Sequence, residues 1–239
     1  MKDLPMKQHQ RTGMALLLAG AATLAALGAW AGSPPEGGVV EGAVAVTAPA
    51  RPAQAAQGSG GFYEDDLETS SVKPTAPEEV VVYLRDVPGT FPPPTKHVHL
   101  DQKFIQFTHR VVPVLKGTVV DFTNHDPVYH NVFSNSKENK FDLGRKGYGQ
   151  MTSVRMTRSE VPVKVYCEIH ASMKSNILVL DNPFFTTVKP GGKFRLVGVP
   201  PGTYTLVAWH DYWAPVERQV TVTRGGTVRA DLTLDKVQK

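Results

Sequence analysis

Residues 161–180 read VPVKVYCEIHASMKSNILVL, from Val161 to Leu180. Apolar and β-branched residues on both sides describe two strands, one ending at Tyr166-Cys167 and the next beginning at Ser175. Between them Cys167, His170 and Met173 place a thiolate, an imidazole and a thioether on one tight loop. Soft sulfur together with imidazole is a donor set that suits copper rather than hard cations. A site of two imidazoles and one thiolate needs a second histidine. The best candidate is His130, in the stretch Asn124-His125-Asp126-Pro127-Val128-Tyr129-His130-Asn131-Val132-Phe133, where a Pro-containing loop runs into a strand. Asn131 is placed to hydrogen-bond across to the Cys167 loop and fix it.

Short strands surround this segment. Val80–Leu84, Lys103–Phe107, Val111–Leu115, Thr118–Phe122, Asn131–Ser134 and Thr152–Met156 precede Val161–Tyr166 and Ser175–Leu180. Their even spacing and intervening turn signals indicate a sandwich or barrel. No four-turn amphipathic pattern interrupts them. A second β set follows in residues 183–236: Lys193–Val197, Thr203–Trp209, Val216–Thr223 and Thr227–Leu234. The last two are expected to form a hairpin across Arg224-Gly225-Gly226. Val220, Val222, Val228, Leu232 and Leu234 share a face by period-two spacing.

The single cysteine in 239 residues excludes an internal disulfide. The net charge of +4 makes no case for nucleic acid. The 21 Gly and 19 Pro exceed the usual share of about 12%, and they fall in two places. One is the turns. The other is a Pro/Gly/Ala-rich linker at 32–77, within which Val39–Thr47 alternates as an early strand whose sheet the sequence leaves open. Residues 1–31 have the three-part layout of a secretory signal peptide: Lys2, Lys7 and Arg11, then MALLLAGAATLAAL, then Ala29-Trp30-Ala31. Left uncleaved, residues 12–31 would tether the chain to a membrane. Export makes a lone thiol a liability unless it is buried or committed to chemistry.

The HNVF stretch followed by Y-C-x2-H-x2-M resembles the cupredoxins, most closely the amicyanin and plastocyanin-like proteins. The resemblance covers the 78–182 region. It implies an all-β chain with an eight-stranded Greek-key sandwich holding one copper per chain. His130, Cys167 and His170 would be the equatorial ligands and Met173 the weak axial one, with Asn131 and Tyr166 beside them. It also implies a one-electron carrier rather than an enzyme, periplasmic or extracellular, exchanging electrons with a redox protein through an exposed His170. Tyr166, bonded to Cys167, offers a second exit. Residues 183–236 resemble the carboxypeptidase regulatory-like (transthyretin-like) module, a smaller C-terminal β-sandwich. The carrying residues are Gly192-Lys193-Phe194-Arg195-Leu196 and Val199-Pro200-Pro201-Gly202-Thr203-Tyr204. With almost no linker at Pro183, this module is expected at the end of the first sandwich remote from the metal.

Other assignments compete for the same residues. Cys167 as an inert core thiol leaves the spacing of His170 and Met173 unexplained. A Cys–His nucleophile on one short loop has poor geometry. Zinc would be a poor match to methionine, and there is no second cysteine. A copper storage, delivery or sensing protein would draw His97, His99 and His125 into additional sites. A structural or carbohydrate-binding module would use Trp209 and Trp213 as a stacking platform.

Overall fold

The computed structural model describes residues 37–47 and 79–237. The expected signal peptide at 1–31, and the linker apart from its early strand, lie outside the described residues. Within the described residues the chain is all-β. In order the strands are β1 (Gly38–Val46), β2 (Val80–Arg85), β3 (Val98–His99), β4 (Val111–Leu115), β5 (Val119–Thr123), β6 (His130–Ser134), β7 (Phe141–Lys146) and β8 (Met151–Arg155). They continue as β9 (Glu160–Cys167), β10 (Lys174–Leu180), β11 (Phe185–Val188), β12 (Lys193–Val199), β13 (Gly202–Trp209), β14 (Val216–Val222), β15 (Thr227–Arg229) and β16 (Leu232–Leu234).

Strands β3 to β10 make one sandwich, a five-stranded sheet β4-β10-β9-β6-β7 facing a three-stranded sheet β3-β5-β8. The inward residues Leu100, Val112, Val114, Val120, Phe122, Val163, Val165, Ile177 and Val179 fill its core. The remaining eight strands make the other. There β11-β2-β13-β14 faces a sheet in which β1 pairs with β12, β15 and β16. The first sandwich is therefore inserted in sequence between β2 and β11 of the second, which frames it. Both ends of the insert are held together, because β2 and β11 pair antiparallel with Phe185 opposite Tyr83.

This arrangement corrects three expectations and settles a fourth point. Val80–Leu84 belongs to the framing sandwich and not to the metal-site sandwich, so a boundary at residue 78 divides the wrong pair of strands. The alternating run Val39–Thr47, whose sheet the sequence leaves open, joins the framing sandwich, where Val40 and Val44 are fully buried; the C-terminal module is thus completed from the N-terminal side by β1 and β2. Thr223–Gly226 closes no hairpin. β14 pairs with β13, while β15 and β16 run parallel to β1. Val220, Val222, Leu232 and Leu234 do meet in one core, but from opposite sheets. Lys103–Phe107 is a turn: Phe104 and Ile105 have φ of 57° and 54°.

The two sandwiches pack face to face. On β10, Ile177 and Val179 point into the inserted core while Leu178 and Leu180 point out. On β2, Val80, Val82 and Leu84 point into the framing core while Val81 and Tyr83 point out. Leu178, Leu180 and Val111 then meet Val81, Tyr83, Val207 and Trp209 in a third apolar cluster. Alternation makes each of these strands apolar on both faces, as strands covered on both sides must be. The framing sandwich is thus not confined to the remote end. It lies along the outer face of β4 and β10, and Trp209, Asp211 and Tyr212 share a cleft of about 160 Å³ with Tyr166 and Lys174. Arg110 secures this edge, pairing with Asp211 at 2.7 Å and lying 4.5 Å from the Tyr212 ring centre.

Candidate metal centre

The sheet pairing of β6 with β9 sets Val132 opposite Cys167 and Phe133 opposite Tyr166. That register brings His130, two residues before Val132, to the loop that follows Cys167. The loop is closed by its own backbone. Met173 N–H donates to the His170 carbonyl at 3.0 Å, and Cys167 N–H donates to the Met173 carbonyl at 3.2 Å. Asn131 ties it to β6: its amide nitrogen donates to Glu168 Oε2 at 3.1 Å, and its backbone carbonyl accepts from the Glu168 N–H at 3.1 Å.

Three donor atoms converge there. His130 Nδ1 and His170 Nδ1 are 3.1 Å apart, and Cys167 Sγ lies 3.8 Å from the first and 3.7 Å from the second. A triangle with those sides has a circumradius of about 2.1 Å. Metal–imidazole bonds are about 2.0–2.1 Å and metal–thiolate bonds about 2.3 Å, so one ion fits with little adjustment. Among the described residues this is the one group of three His, Cys, Asp or Glu side chains placed to hold an ion. His130 and Cys167 are buried and His170 is half-buried. Met173 is buried in the core cluster that also contains Cys167. Tyr166 is half-buried, its ring 5.8 Å from that of Phe133.

Protonation suits metal binding. Burial, and then the neighbouring His130, push the His170 pKa below the usual imidazole value, with Asp126 opposing; neutral imidazole is the ligand form. His130 has its other nitrogen engaged, with Nε2 2.9 Å from Asp126 Oδ2. A carboxylate only accepts, so Nε2 carries the proton and Nδ1 presents its lone pair to the site.

Asp126 is the functional residue that sequence reasoning missed. It is buried, and besides His130 it accepts the amide protons of Phe104 and Ile105 at 2.6 and 2.9 Å. Burial works to raise its pKa. The Ile105 amide, His130 and the Phe104 amide outweigh burial and hold it below the usual aspartate value. The Asp-x3-His spacing was its only signal, and in a loop that spacing has no periodic meaning. His97, His99 and His125 do not join the centre. His125 instead faces Asp101 at 3.2 Å, and His97 faces Asp121 at 2.9 Å. Trp209 and Trp213 are each 5% exposed, which removes the surface platform expected of a glycan binder.

Residues 175–235 match the family model of the carboxypeptidase regulatory-like domain. No curated protein matches the chain. Among solved structures, a copper-containing nitrite reductase from Thermus scotoductus SA-01 is similar over 36% of this chain at 21% identity and a TM-score of 0.35; the chain spans 23% of that protein's length. A mutant of amicyanin in its reduced Cu(I) form is similar over 35% of this chain and 81% of its own, at 17% identity and a TM-score of 0.33. An oxidized amicyanin, also a mutant, is similar over 36% of this chain and 83% of its own, at 18% identity and a TM-score of 0.33.

Proposed function

We propose that this chain is an exported type 1 copper protein that carries single electrons between redox partners, and is not an enzyme. The observation that carries the reading is the convergence of His130 Nδ1, His170 Nδ1 and Cys167 Sγ on one point about 2.1 Å from each, as the triangle of 3.1, 3.7 and 3.8 Å requires. Copper held there would supply a one-electron couple. The chain's own residues do the rest. Asp126 fixes the His130 ring, the Asn131–Glu168 pair fixes the loop, and Met173, buried in the same core cluster as Cys167, would offer a thioether as a further weak donor. A cage held by so many local hydrogen bonds changes little between oxidation states, which keeps the cost of electron transfer low.

The mouth of the site supports partner docking at His170. Ile169 beside it, Val128 and Tyr129 before His130, and Phe104 and Ile105 over Asp126 are all exposed apolar side chains. Contiguous exposed apolar surface marks interaction sites. The signal-like residues 1–31 support export to the periplasm or beyond. The test is a Cu(II) titration of the purified chain. One equivalent should raise an intense visible thiolate-to-copper band that Cys167→Ala abolishes. A colourless one-to-one complex would overturn the reading and favour copper storage or delivery.

A further inference from the structure

A second cluster of donor side chains lies on the outer face of β3-β5-β8. Val98 packs against the inserted core, so His97 and His99, one residue to either side, turn outward; both are exposed. Asp121 stands opposite His99 in the β3–β5 register, and Ser153 stands opposite Asp121 in the β5–β8 register. The Asp121 carboxylate is nearly buried. It accepts from Ser153 Oγ at 2.6 Å, and both its oxygens lie close to His97 Nδ1, at 3.1 and 2.9 Å.

We propose that His97 and His99 form a second metal site, for a borderline divalent cation such as Zn(II), with Asp121 as the carboxylate that orients His97. With Nδ1 donating its proton to Asp121, His97 Nε2 carries the lone pair and faces solvent. Residues two apart on a strand are separated by about 6.6 Å, a span that two imidazoles bridge when they lean toward a shared ion about 2.0–2.1 Å from each nitrogen. Imidazole donors without sulfur suit zinc, nickel or Cu(II), a different preference from that of the Cys167 centre. A carboxylate behind a ligating histidine fixes its tautomer and raises its basicity. Two protein donors leave the remaining positions to water, which makes this the weaker and more exchangeable site. The inference is independent of electron transfer.

Calorimetric titration of the full chain with Zn(II), followed also by the histidine ring resonances, tests it. Two classes of binding are expected. The weaker class should vanish in His97→Gln and His99→Gln and weaken by roughly tenfold or more in Asp121→Asn, with the stronger class unchanged in all three. A wild-type chain showing a single class would overturn the proposal. So would a weaker class that survives either histidine substitution, or one indifferent to Asp121→Asn, which would mark an adventitious surface chelate.

Discussion

Asp126 Oδ2 and His130 Nε2 lie 2.9 Å apart in the buried floor of the metal centre, and the same carboxylate caps the amides of Phe104 and Ile105. One side chain therefore orients the His130 ring and pins the Phe104–Ile105 turn. Asp126→Ala should weaken copper binding by about 10–100-fold and loosen the Phe104–Ile105 turn. Competition against a chelator of known affinity reads the first effect, and amide exchange of residues 104–105 reads the second. Unchanged affinity would reduce Asp126 to a loop residue.

The contact between sandwiches rests on a few outward side chains. Leu178 is fully buried there, and truncating such a leucine costs about 2–5 kcal/mol. Leu178→Ala should lower the denaturant midpoint by that equivalent while leaving the inserted core intact, since Ile177 and Val179 on the opposite face of β10 are untouched. The metal-site spectrum should persist as stability falls. Spectrum and stability failing together would place Leu178 in the wrong core.

β1 lies between β12 and the β15–β16 strands, so a chain beginning at Glu79 loses the middle of a sheet. Val40 and Val44 are fully buried, each worth roughly 1.5–3 kcal/mol. The truncated chain should be cleaved rapidly by protease within 183–236, where the full chain resists. Equal resistance would show that β1 is dispensable.

Lys103, Arg145 and Lys174 are exposed and Lys146 is half-buried around the centre, with Arg145 and Lys146 opposite Asn131 and His130. Glu168 is engaged by Asn131. That carboxylate and Asp126 keep their charge, but the four cationic side chains outnumber them, so this group is net positive. Electron exchange of the copper-loaded chain with anionic hexacyanoferrate should slow as salt rises from about 10 to 150 mM, when the Debye length falls from about 30 to 8 Å. Arg145→Glu with Lys146→Glu should flatten or reverse that dependence. Stopped-flow rates that ignore salt would overturn the charge argument without touching the copper assignment.

The convergence of Cys167 and His170 was legible because both sit on one local turn, and that of His130 because a loop meets a strand there. Residues whose meaning depends on distant chain were not. Lys103–Phe107 alternates like a strand, but Asp126, some twenty residues on, claims two of its amides and bends it. The run Val80–Leu84 is apolar at five consecutive positions, and all five are buried. That pattern announces cover on both faces, yet it does not say which sandwich supplies it. Val39–Thr47 showed its alternation plainly. Its partners, β12 and β15–β16, lie some 150 residues or more along the chain, and no local pattern points that far.

Because β1 and β16 pair in parallel, with Val44 opposite Leu232 and Val46 opposite Leu234, a pull applied before Gly38 and after Leu234 shears neighbouring strands. The ladder is loaded along its whole length and does not unzip bond by bond. The line of tension crosses the framing sheet alone, because the inserted sandwich hangs from β2 and β11 as a side loop. A chain tethered at its front end and tugged at its back would transmit force past His130, Cys167 and His170 without deforming them.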